Sequence, residues 1–157
     1  MDLGAEIRSQ MGDDWLPTIY HEKVRVIRTR SLSIEVPERE NAATIDYTLL
    51  GIELQVGKRR FACPDLATAR YMRVFARIGC RDFAIPYDIT QISGFADELE
   101  MSWRRADLLI NELTPAASPR SRSAARTKVI RGIRDQLREM GPGELMPIFD
   151  RETRQRK

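Results

Sequence analysis

Arg70, Arg73 and Arg77 are the residues in this chain best placed to do recognition chemistry. A guanidinium is planar, permanently charged and carries five donors, so several on one face suit a bidentate grip on carboxylate or phosphate. A helical turn of about 100° per residue brings the three together. None has an Asp or Glu three or four residues away, so ion pairs within the helix are not available to them. The expectation is a solvent-facing cationic strip, joined by Arg59, Arg60 and Arg81 at the flanking strand ends, that docks an acidic partner. The ordinary alternative for such a strip is a solvated helix face.

A second basic set, Arg120, Arg122, Arg126, Lys128, Arg131, Arg134 and Arg138, lies in the C-terminal part. It supports a rival reading, a nucleic-acid binder that neutralises phosphates without sequence preference. Residues 118–157 hold 11 basic and 5 acidic residues, whereas 1–117 hold 15 and 18, so a basic end follows a slightly acidic body. A third reading, a thiol-dependent enzyme or redox sensor, rests on Cys63. This residue precedes Pro64 at an expected helix start, where a thiol pKa can fall; the plainer expectation is a buried, inert thiol.

Other chemistry has little to stand on. His21 is the only histidine and Cys63 and Cys80 the only cysteines, with no CxxC pair, so no zinc or other metal site is expected. No cofactor motif is present; the Gly-Pro-Gly at 141–143 is a helix stop, too short to cradle phosphate. Asp97, Glu98 and Glu100 point in different directions around one helix and are expected to be solvated.

The elements that must position these residues follow from periodicity. Residues 59–63 read as a strand. Pro64 then suits a first helical position and Gly79 a left-handed C-terminal cap. Between them Ala67, Tyr71, Val74, Phe75 and Ile78 form an apolar stripe. Phe83, Ile85 and Tyr87 alternate as a second strand, with Pro86 placing it toward an edge. Asp88 is a candidate N-cap for a long helix to about residue 113, whose stripe runs through Ile92, Phe95, Ala96, Leu99, Trp103, Ala106, Ile110 and Leu113. Glu100 and Arg104 there are in the favourable i, i+4 order. Met101 and Leu108 lie opposite the stripe, which makes this helix (89–113) a candidate self-association surface.

Upstream, residues 1–22 read as an N-terminal arm with a short helix near 5–11, and 23–36 as an interrupted strand. Residues 44–56 read as a strand whose apolar phase changes at Leu49–Leu50–Gly51, as a β-bulge would produce. Gly57–Lys58 turns it into residues 59–63. Residues 115–127, rich in Pro, Ser and Arg, read as a flexible linker. Thr127 then caps a basic helix over 128–140, before a small apolar patch (Leu145, Met146, Ile148, Phe149) and a polar tail.

The order β-β-β-α-β-α with an additional C-terminal helix predicts an α+β domain over 23–114: a small, mostly antiparallel sheet with helices on one face. A hydrophobic content of 42% supports a core. No apolar run reaches the roughly 20 residues of a membrane helix. An acidic start with no apolar core reads as a cytoplasmic, soluble chain. The function expected is a non-catalytic regulatory or assembly domain with an acidic protein partner.

Overall fold

The computed structural model describes residues 2–114 and 118–143. The fold is α+β, with five strands divided between two small antiparallel sheets. Helix α1 (Leu3–Met11) and the short α2 (Leu16–Ile19) lead into a π-turn over Tyr20–Val24, which takes Lys23 and Val24 out of the strand expected from residue 23. Strand β1 (Thr29–Ser33) pairs with β5 (Asp82–Pro86), and β2 (Ala43–Thr48), β3 (Gly51–Val56) and β4 (Arg59–Cys63) form a meander. Helices α3 (Leu66–Ile78), α4 (Ile92–Leu113) and α5 (Pro119–Met140) complete the chain.

The phase change at Leu49–Leu50 is a hairpin turn, not a bulge. Thr48 pairs with Gly51, so two leucines span the turn and each strand keeps its own alternation. Ala43, Ile45, Leu54, Val56 and Phe61 then fall on the face that lies against α3.

Helix α3 starts at Leu66, two residues later than Pro64 suggests. Asp65 is its N-cap, accepting from the Thr68 N–H at 2.7 Å, and Gly79 ends it with φ +82°. That glycine is also a packing requirement. A β-carbon there would lie 2.3 Å from the Arg39 carbonyl oxygen, because the 37–41 loop folds across the helix end. Asn41 holds the loop, its side chain donating to the Pro37, Arg39 and Ala76 carbonyls.

Helix α5 begins at Pro119, with Ser118 as N-cap, so residues 119–127 are helical where a linker had been expected. Proline at the first helical position and a serine cap are a start signal that composition alone disguised as a loop. Residues 115–117 of that linker, and the patch and tail beyond 143, lie outside the described residues.

The core closes around β5, which is buried although only β1 pairs with it. Phe75 and Phe83 stack with centroids 4.2 Å apart, and Tyr20 meets Phe75 edge-on. At Ala84, where a third strand is missing, the Tyr71 hydroxyl donates to the carbonyl at 2.6 Å. The Tyr20 hydroxyl accepts from the N–H at 2.8 Å and donates onward to the Gly141 carbonyl. Burial pushes the Tyr20 hydroxyl pKa up to about 12, so it remains a donor at all ordinary pH.

Tyr71→Phe leaves the Ala84 carbonyl oxygen buried and unpaired. The expected loss in urea denaturation is about 1–3 kcal/mol with an unchanged m value. An unchanged midpoint would show that this bond stabilises nothing.

Candidate functional site

The α3 arginines meet carboxylates after all, from a different helix. Packing of α4 on α3 brings Glu100 between Arg70 (2.9 Å) and Arg73 (2.8 Å), and Arg70 also reaches Asp97 at 2.5 Å. The expectation of a solvent-facing strip without acidic partners is therefore corrected for Arg70 and Arg73. The solvated acidic set is corrected too: Glu100 is only 7% exposed, Asp97 holds Arg70, and Glu98 pairs with Lys23.

Glu100 does not form the expected i, i+4 pair with Arg104. A carboxylate this deep is costly unless fully engaged, and two guanidiniums from α3 compensate it better than one exposed neighbour. Burial pushes the Glu100 carboxyl up, but hydrogen bonds from Arg70 and Arg73 outweigh it and hold the group below its ordinary range. Arg70 is correspondingly held above its usual value by Glu100 and then Asp97.

Arg77 is left over. It is half-buried and, among the described residues, its side chain has no hydrogen bond and no ion pair. Burial pushes its pKa down and the like charge of Arg73 adds to that, while Glu100 pulls the other way through space and Arg104 pushes down again. Arg104 is exposed and also unpaired among the described residues. The Nε of Arg73 is buried with no hydrogen-bond partner. Between α3 and α4, one carboxylate is thus consumed by two arginines while two more cations stand beside it.

The flanking arginines are spread out. Arg59 pairs with Glu35 at 2.7 Å, Arg60 lies 3.9 Å from Asp46, and Arg81 donates to the Val36 carbonyl. The arrangement does not gather them with Arg77.

On α5 the basic set divides. Arg126 is clasped by Glu40 and Asp107, which hold its pKa above its usual value against the opposing pull of burial, and its guanidinium lies 5.9 Å from the Trp103 ring centre. Arg134 is buried and donates to the Ile78 carbonyl, while Arg138 pairs with Glu38 at 3.3 Å. Arg120, Arg122, Lys128 and Arg131 are exposed and without ion pairs among the described residues.

Cys63 lies beside Met72, sulfur to sulfur at 3.8 Å, and against the Phe61 carbonyl. Burial pushes its thiol pKa up, and Asp65 and Glu53 push the same way. These effects oppose a reactive thiolate. Cys80 is buried and pushed up to about 11, and both thiols are free. Met101 and Leu108 on α4 are exposed. No group of three or more potential metal ligands exists among the described residues, nor a helix long and apolar enough to cross a membrane.

Sequence reasoning missed Glu100 because its three acidic positions were read within one helix. The available signal was that Glu100 stands next to the apolar stripe residue Leu99. Compared with families of known proteins, with curated proteins and with solved structures, the chain matches none.

Two outcomes follow from the Glu100 triad. Glu100→Gln leaves two guanidiniums facing a neutral group and is expected to cost about 3 kcal/mol in denaturant. Because the folded carboxyl pKa lies below its unfolded value, the triad's stabilisation is complete above the unfolded pKa and is lost as pH falls through the folded one. Stability of the wild type should therefore drop more steeply than that of Glu100→Gln below about pH 4.5. Parallel acid titrations of the two proteins would refute the triad as a source of stability.

Proposed function

We propose that this chain is a non-catalytic docking domain for an acidic protein segment, and that the incoming carboxylate binds at Arg77 and Arg104. One observation carries the reading: Arg77 is half-buried, unpaired among the described residues, and flanked by two like charges. Glu100 acts on Arg77 only through space, its oxygens being held by Arg70 and Arg73. A partly desolvated cation therefore stands without a hydrogen-bonded counter-charge, and an arriving carboxylate supplies one. Arg70 and Arg73 are then not contacts; they and Glu100 hold α3 against α4 so that Arg77 and Arg104 share one surface. Two free thiols fit the cytoplasmic setting that this reading assumes.

The test is anisotropy of a labelled oligo-glutamate peptide at low salt. Arg77→Met with Arg104→Glu should weaken binding at least about tenfold, the loss of one charged hydrogen bond. The thermal midpoint should hold or rise, because an apolar side chain replaces a poorly compensated cation. Equal affinity in wild type and variant sinks the proposal. Arg73→Glu, in contrast, sets a second carboxylate against Glu100 and should lower the midpoint.

A second reading, nucleic-acid binding by α5, is favoured by the exposed and unpaired Arg120, Arg122, Lys128 and Arg131. It predicts oligonucleotide binding whose log affinity falls with log salt, by about 0.7 per single-strand phosphate neutralised. The triple variant Arg120→Glu, Arg122→Glu, Arg131→Glu should abolish it. No binding at low salt retires this reading.

A further inference from the structure

Two features of the fold are not explained by contacts among the described residues. The first is the β2–β3 turn. Leu49 and Leu50 are its two residues and are fully exposed, at a position that ordinarily takes Asn, Asp or Gly. Tyr47, also exposed, lies just behind them. The hairpin over 43–56 carries two carboxylates, Asp46 and Glu53, opposite one another in the register, and no cation of its own. Asp46 lies 3.9 Å from Arg60 on β4, and Glu53 has no ion pair among the described residues.

The second feature is a groove of about 820 Å³ between α1 and α5. Leu3, Trp15 and Val129 line it on the apolar side, and Arg8 and Lys128 supply cations. Neither cation has an ion pair among the described residues, and the one acid that lines the groove, Asp2, is used as the N-cap of α1. Gly132 keeps the groove open from within α5. A glycine in a helix interior lowers helix stability, yet a β-carbon there would meet nothing within 4 Å. Its missing side chain serves no contact inside this molecule.

We propose that the chain associates head to tail with a second copy of itself, the leucine turn of one molecule entering the α1–α5 groove of the next. The match is apolar tip to apolar lining, with Glu53, and Asp46 where it is not held by Arg60, facing the cations Arg8 and Lys128. The turn and the groove are built from different elements, so the contact is heterologous, and repeating it makes a ring or an open chain. A single hairpin tip buries little area, which places the contact among weak, transient interfaces. It engages neither Arg77 nor Arg104 and stands or falls apart from peptide docking.

Sedimentation of the full chain, from low micromolar to several hundred micromolar at low salt, tests this. The wild-type mass should climb above the 18.1 kDa monomer, and the rise should be lost in high salt. A tip variant, Leu49→Ser with Leu50→Ser, and a groove variant, Gly132→Leu, should each stay monomeric. Mixed in equal amounts, they should recover a species of twice the monomer mass and nothing larger, since one intact tip and one intact groove remain. Should Gly132→Leu disturb folding, as judged by its circular dichroism, Arg8→Glu with Lys128→Glu replaces it. A wild type that is monomeric throughout overturns the proposal. So does a mixture that fails to pair. Association that persists in both variants also overturns it and moves the contact to another face, such as Met101 and Leu108.

Discussion

A strand buried on all sides must still satisfy every backbone N–H and C=O, and that constraint organises this fold. Strand β5 has β1 along one edge only. Along the other, two tyrosines from separate parts of the chain stand in for a neighbour at Ala84. Tyr71 comes from α3 and fixes that helix across the strand. Tyr20 comes from the N-terminal helices and, through the Gly141 carbonyl, ties them also to the end of α5. The aromatic stack of Phe75 on Phe83 fills the space between. Position and polarity are thus set by the same side chains, and the core admits no other partner at this edge.

Charge is distributed by a related economy. Glu100 sits where α4 crosses α3, and the cost of its desolvation is offset only by drawing in Arg70 and Arg73 together. The same principle governs Arg126, which bridges Glu40 of the 37–41 loop and Asp107 of α4. Cations left outside these networks, Arg77 and Arg104 above all, owe their free state to what their neighbours have claimed. The recognition surface proposed for this chain is what remains after the fold has met its own electrostatic needs.

Much of the architecture was legible from the residues. The apolar stripes of α3 and α4, the Gly79 cap and the 59–63 strand follow from local patterns, and each is present. Asp88 caps a single 3-10 turn over Ile89–Gln91 that leads into α4, not α4 itself. The α+β class follows from their order. What failed was decided at longer range or by competing local signals. Leu49–Leu50 resembles a bulge because leucines rarely make a turn. The start of α5 was hidden by serine and arginine that resemble a linker, although Ser118–Pro119 is itself a start signal. The free α3 strip failed because its carboxylates lie 27 and 30 residues away, a separation that a reading within one helix cannot see. Of that strip only Arg77 has no ion pair among the described residues, and it is half-buried where a solvent-facing side chain had been expected.

The pairing of Trp15 with Gln136 and of Tyr20 with Gly141 spans 121 residues in each case. During synthesis, Ile7, Trp15, Leu16 and Tyr20 therefore leave the ribosome long before α4 and α5, the two helices that pack against them, are both present. Closure of such distant contacts is slow, and until α5 emerges these apolar side chains have no complete burial site. A nascent chain stopped before α5 would offer them to chaperones or to other nascent chains. The contacts that close the N-terminal helices onto α5 are thus the most distant in sequence of the side-chain hydrogen bonds described, and they wait on residues 136 and 141.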